Sequence, residues 1–458
     1  MDAAIRALNR FGLGARPGER GHLGDPRGWL RAQLEGGPPA ATAPAAATPT
    51  AVSDAIRAFR MPAPANRQQQ APPQPELRQQ RQQARRRLVE ITGAEALAAL
   101  EMRVVSDRPF VERLVAFWSN HLCVSAAAKV LVAPLAGSYE REAIRPHVLG
   151  RFEDMVLASA KHPAMLVYLD NFQSTGPNSR GAARRRGRGA RGLNENYARE
   201  LLELHTLGVN GGYAQRDVEE LAKILTGWTV TGLQDGGPTV GFTFQNALHE
   251  PDARTVLGVR YAEGGVTQGE RVIRDLCRHA STSRFIATKL VTHFVADDPP
   301  TAAIDRIAQV FRSSDGDLHA LANALVDVKD AWSDDTRKFR TPQDWLIAAL
   351  RACGAREVSQ MTVPVLRQLR HPLWAPQSPK GFGDSVQEWA DPDSLLNRAE
   401  LARTLARRLR AGQVDPRVLL DVVDVASNDP LRALLSDSSV VAADRVALAI
   451  AGPAFQWR

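Results

Sequence analysis

The 458 residues are 44% hydrophobic and 24% charged, with 34 Gly and 29 Pro, a near-average globular composition that excludes collagen-like, fully disordered and coiled-coil chains. At about 150 residues per domain the length suits three domains or one large helical body, and no apolar run approaches the ~20 residues a bilayer span needs. The net charge of +8 is concentrated. Residues 36–92 carry +5 and residues 173–192 carry +6, so the remainder is slightly acidic and nucleic acid is not an expected partner.

The opening MDAAIRALNRFGLGARPGER has no uninterrupted apolar stretch of export-signal length, so the default expectation is a cytoplasmic chain, with co-export beside a partner as the alternative. Residues 1–35 read as the N-terminal helical part of the domain. Residues 36–87 form a Pro/Ala/Gln/Arg-rich insert, from GGPPAATAPAAATPT to LRQQRQQARRR. Sequence of this kind buries too little apolar area to offset chain entropy, so the insert is expected to be mostly disordered, entering a helix from about Glu76 to Val105.

Residues 88–458 then read as the main helical domain, with a disordered Gly/Arg-rich loop at 173–192. DRPFVERLVAFWSNHL predicts a helix with Asp107 near its N-cap, Pro109 in its first turn and an apolar face on Phe110, Leu114, Phe117 and Trp118. RFEDMVLASAKHPAMLVYLD, NENYARELLELHTLG, VIRDLCRHASTSRFIATKLVTHFV and AAIDRIAQVFRSSDGDLHALANALV predict further helices. KFRTPQDW predicts a helix start with Thr341 as N-cap and Pro342 at the first position. Only Trp228–Tyr261 departs, its β-branched and aromatic runs predicting a small antiparallel hairpin or flap. The expected architecture is mostly α, a large orthogonal multi-helix assembly with that flap and two disordered inserts.

The densest polar segment is Asn194–His205. On one helix, Glu195, Arg199 and Glu203 share a face, with Asn196 and Glu200 beside them. On a solvated face this is a ladder of i,i+4 pairs, each worth a few tenths of a kcal/mol. On a buried face the carboxylates require partners. His121, His205 and His249 are then candidate ligands for a divalent metal such as Zn²⁺, Mn²⁺ or Fe²⁺, with Glu200 or Glu203 as general base and Arg199 holding an anionic group. There is no HExxH, GxSxG, Walker loop or strand-borne GxGxxG. Cys123, Cys277 and Cys353 are too scattered for a disulfide framework and read as small buried hydrophobes. HPLWAPQSPKGFG can build an aromatic and cationic wall for a sugar or an anion, or simply a rigid packed loop. Lys289 and His293, at i,i+4, read as the polar edge of their helix.

LNRFGLGARPGE, FWSNHLCVS, NENYARELLELHTLGV, DVEELAKILTGWTV, KLVTHFVADDPP, SDGDLHALANAL, KFRTPQDW, LWAPQSPKGF and GPAFQWR occur in that order. In these strings the chain resembles the bacterial domain-of-unknown-function family numbered 1800. The resemblance implies a largely helical protein without an assigned activity, commonly encoded beside a second family, numbered 1501, whose fold is similar to sulfatases and alkaline phosphatases. Ala280 departs from the pattern, standing where a His-Pro-Ala-Thr-like motif has Pro. The functional expectation is a metal-dependent enzyme acting on a cell-surface or extracellular polymer. Its alternatives are a non-catalytic helical partner or maturation factor of the phosphatase-like neighbour, and RNA or polyanion binding through the Arg-rich inserts.

Overall fold

The computed structural model describes residues 2–60, 75–184, 192–233, 239–408, 415–423, 425 and 428–458. Helix dominates because the apolar residues recur at helical spacing. In the helix Pro75–Val105, Leu88, Ile91, Ala96, Leu100 and Val104 are buried along one side. The helix Pro109–His121 has no solvent-exposed face. Phe110, Leu114, Phe117 and Trp118 are buried as expected, and so are Glu112 and Arg113 on the other side. Pro109 opens this helix, but the N-cap is Arg108 and the orphan amide of Phe110 is capped by the Gln33 side chain at 2.9 Å. Asp107 instead points outward, 3.6 Å from Arg16.

Four expected helices break, each for a local reason. Pro163 holds His162 extended (ψ 135°), dividing Phe152–Lys161 from Pro163–Tyr168, and the His162 ring caps the second helix at the Ala164 amide. His279 repeats the device between Val266–Arg278 and Ala280–Phe294, its ring accepting from the Ser281 amide. Ala280 thus occupies a first helical position, where Pro is equally tolerated. Asp315 and Gly316, both at positive φ, separate Thr301–Ser313 from Leu318–Val326. Asn196–Glu200 passes into a π-helical turn, Leu201–Thr206, in which the Leu207 amide bonds the Leu202 carbonyl at 2.9 Å.

The flap is two antiparallel hairpins. β1 (Trp228–Thr231) pairs with β2 (Gly241–Phe244), and β3 (Arg254–Val256) with β4 (Val259–Tyr261). The β3–β4 turn puts Leu257 and Gly258 both at positive φ, the tight turn that suits strand twist, and Asp217 holds the Leu257 amide at 2.7 Å.

One continuous apolar core runs from Leu8 and Phe11 to Ile450 and Phe455, so the N-terminal part and the main helical region are a single packed body. Its closure is a strip of backbone pairing. Arg340 bonds Gln456, and Lys338 and Arg458 exchange both hydrogen bonds. Among the described residues no helix is long and apolar enough to cross a membrane.

The first insert differs from its expectation over part of its length. Residues 61–74 lie outside the described residues, but Pro49–Arg60 is a 12-residue helix whose Val52, Ala55 and Ile56 are buried. The i, i+3, i+4 spacing of those residues gives it an apolar stripe that docks on the long helix Pro75–Val105. The Gln/Arg tract forms the exposed start of that helix. In the second insert, residues 185–191 lie outside the described residues, while Ser174, Thr175 and Ser179 before them are buried. Ile56 is fully buried, so Ile56→Ala should lower unfolding stability by about 2–5 kcal/mol in urea titrations. A change under about 0.5 kcal/mol would mean that this helix does not dock.

Candidate active site

The segment Asn194–His205 does not keep one helical register. Glu195 and Arg199 form the expected ion pair at 3.2 Å, but the π turn rotates Glu203 away from Arg199. Arg199 bonds Gln215 at 2.9 Å, and Glu203 accepts from the Tyr213 hydroxyl at 3.2 Å. Glu200 is half-buried; burial, and then Glu203, raise its carboxyl, with Arg199 opposing.

The three histidines do not assemble as a set. His121 and His205 meet in the interior, where His121 Nε2–H donates to the His205 carbonyl at 3.1 Å among Trp118, Phe152 and Phe285. His249 packs elsewhere, its Nδ1–H donating to the Thr226 carbonyl at 2.9 Å beside Phe244. Among the described residues no three His, Cys, Asp or Glu side chains come together in a way that could hold a metal ion. Burial keeps His121 and His205 neutral, the latter pushed down to about 3. The sequence could place these residues on helices. It could not show that their rings face apolar neighbours.

A cavity of about 310 Å³ opens nearby, between the helices Pro109–His121, Ala280–Phe294 and Pro342–Ala352 and the loop 371–388. That loop is sewn to residues 120–126 by hydrogen bonds. The Asn120 side chain pairs with both backbone groups of Phe382 at 2.8 Å, Ser125 donates to the Pro376 carbonyl, and the Ala126 amide to the Trp374 carbonyl. Gly381, at φ +85°, is required here, because a Cβ would lie 2.5 Å from the Asn120 carbonyl oxygen. Trp374 sits at φ +49°, a strained conformation for a bulky residue, fixed by its Nε1–H donating to buried Glu140 at 2.7 Å. The loop therefore forms the aromatic and cationic wall that its sequence allows, with Trp374, Lys380 and Phe382 lining the cavity.

Behind the wall lies a buried charge network. Arg113 contacts both Asp344 oxygens at 3.2 and 3.1 Å. Arg458 lies between the two aspartates, 3.4 Å from Asp344 and 3.6 Å from Asp384. Lys338 donates to the Asp384 carbonyl at 2.6 Å and pairs with Asp297. Burial would raise both aspartates, but Arg113 and then Arg458 at Asp344, and the His293 ring with Lys338 and Arg458 at Asp384, hold both below the usual carboxylate range.

His293 lines the cavity together with Arg113, Asp344 and Asp384 of this network. Its Nδ1–H donates to Asp384 at 2.6 Å, which leaves Nε2 as a lone-pair acceptor without a hydrogen-bond partner. Phe117 and Phe294 fix the ring from two sides, at centroid distances of 5.2 and 4.9 Å. Burial pushes its pKa down to about 4, with Asp384 opposing, so the ring is neutral at physiological pH. One turn earlier, Lys289 also lines the cavity, its ammonium 5.7 Å from the Phe285 ring centre and its pKa lowered by burial. Cys123 lines it too, but burial pushes that thiol up to about 12, which removes it as a nucleophile. The edge residues Lys289 and His293 of the sequence reading thus face a cleft. The i,i+4 spacing showed that they share a face; nothing local announced Asp384, 91 residues away.

Fold and cleft together define a mostly helical protein with a neutral, carboxylate-held imidazole and a lysine in one cleft. The chain belongs to the family described as proteins of unknown function, DUF1800, which it matches over residues 6–457. No curated protein and no solved structure matches it.

Four buried histidines, His121, His205, His293 and His371, have pKa values lowered by burial. As pH falls below the unfolded value of about 6.5, the unfolded chain takes up protons first. The stability these rings contribute is therefore complete above about pH 6.5 and lost progressively toward pH 4. Urea midpoints should fall across that window, with a slope exceeding the ~1.4 kcal/mol per pH unit of a single proton, and His371→Gln should flatten the slope. A pH-independent midpoint between 6.5 and 4 would contradict the burial assigned to these rings.

Proposed function

We propose that the protein is an enzyme that uses His293 as a general base to activate water or a substrate hydroxyl. The observation that carries this reading is the 2.6 Å bond from His293 to Asp384, which commits Nδ1 and leaves Nε2 without a hydrogen-bond partner, on a side chain that lines a cavity large enough for one monomer-sized unit. Asp384 fixes the tautomer and stabilises the imidazolium that forms when Nε2 takes the proton. Lys289, on the same helix face, stabilises negative charge developing on the attacked group. The proton held on His293 then passes to the departing oxygen or nitrogen, restoring the neutral ring. The resemblance to the family supplies the setting, a cell-surface or extracellular polymer. Chemistry on Glu200, Glu203 and Arg199 with a metal at His121, His205 and His249 finds less support, because His249 packs apart from the other two.

The test is release of soluble fragments from purified envelope polysaccharide or peptidoglycan, followed by chromatography. His293→Gln should lower the rate by about 10²–10⁴-fold with folding intact, and Asp384→Asn should lower it through the wrong tautomer. The rate should rise with pH through about 4 as His293 loses its proton. It should fall again below the ordinary lysine range, because burial lowers the Lys289 pKa. A His293→Gln variant as active as the parent would dismiss His293 as the base.

A further inference from the structure

We infer that the cavity takes a ring-sized unit bearing one oxyanion, held against the Lys289 ammonium. This rests on the cavity being the reaction site and adds the substrate's charge to that reading. The buried cations of the wall have partners. Arg103 pairs with Glu140 at 2.6 Å and Arg113 with Asp344 at 3.1 Å. Lys289 has no carboxylate within ion-pair distance among the described residues; its ammonium stands 5.7 Å from the Phe285 ring centre, and Asp384 acts on it from beyond ion-pair distance. Lys289 is half-buried with its ammonium at the cavity, so a ligand that fills the cavity displaces the water around it and supplies the missing counter-charge.

The groups around it cannot supply the charge themselves. Asp344 is matched by Arg113 and Arg458, and Asp384 by His293, Lys338 and Arg458. Cys123 stays a neutral thiol, and neutral His121 and His205 pack behind Lys289. At the mouth, exposed Lys380 adds a second positive charge and exposed Glu388 one negative. The cavity thus presents one uncompensated ammonium inside and a mixed rim outside.

The remaining wall sets the shape. Phe117, Leu373, Trp374 and Phe382 give apolar surface that a sugar ring can cover, and about 310 Å³ accommodates one such ring. With the oxyanion on Lys289, the body of the ring lies toward His293, one helical turn away on the same face.

Calorimetric titration of the full chain with glucuronate, glucose 6-phosphate and glucose tests this. One of the two acidic sugars should bind at least about 10-fold more tightly than glucose, and which one does so separates a carboxylate from a phosphate ligand. Lys289→Met should lose that preference and Lys289→Arg should keep most of it. His293→Gln should bind within about 2-fold of the parent, so loss of catalysis and loss of anion recognition are read separately. Because Lys289 has no ion-pair partner to lose, the Tm of Lys289→Met without ligand should lie close to that of the parent. Should that variant fail to fold, inorganic phosphate against chloride at matched ionic strength gives the second readout, a raised Tm for the parent. Equal affinity for glucose and both acids, an unchanged preference in Lys289→Met, or, where glucose 6-phosphate is the preferred acid, no Tm shift with phosphate would overturn the proposal.

Discussion

Two carboxylates buried in one protein interior repel each other unless cations are wedged around them, and the fold is organised by that requirement. Asp344 and Asp384 share the Arg458 guanidinium, with Arg113 on one side and Lys338 and His293 on the other. The groups around them come from distant segments: Arg113 from the Pro109–His121 helix, the neutral His293 N–H donor from Ala280–Phe294, and Lys338 and Arg458 from the two sides of the paired backbone strip. Removing either member of a buried pair of this kind leaves an uncompensated charge, a loss of about 3–5 kcal/mol. The network therefore fixes how these segments meet, and the cleft is the space left beside it.

That arrangement explains why His293 is neutral yet oriented. An imidazole packed against Phe117 and Phe294 loses hydration, which disfavours its charged form. Asp384 is already engaged by Lys338 and Arg458, so its pull on the ring is diluted. The outcome is an imidazole held in one tautomer and free of a proton over the whole neutral range. The stitched loop serves the same end. Strain at Trp374 and the close approach at Gly381 are tolerated because hydrogen bonds from residues 120–126 hold the loop on both sides of them.

Much of the architecture was legible in the chain because helical periodicity and capping act locally. The Thr341–Pro342 start, the flap at residues 228–261 and the helix after Glu76 all followed from neighbouring residues. The π turn at Leu201–Thr206 did not, since it depends on Leu207 reaching Leu202 within a packed interior. Nor did the docking of Pro49–Arg60, where Pro and Ala composition masked a narrow apolar stripe. For the site, the sequence separated Lys289 and His293 from the loop 371–388, though each stood out as a polar motif. Their meeting is a property of tertiary contacts, as is the division of His121 and His205 from His249.

The pairing of Arg458 with Asp344 also carries a kinetic meaning. Its guanidinium also reaches the Arg10 carbonyl, across a separation of 448 positions, so the network joins the two most distant parts of the sequence. Loop closure over such a span is slow, and it comes after local helices have formed. During synthesis both aspartates leave the ribosome well before their shared guanidinium exists. The cleft is accordingly among the last regions of the molecule to acquire its shape, and a nascent chain carries the base in an open, hydrated form.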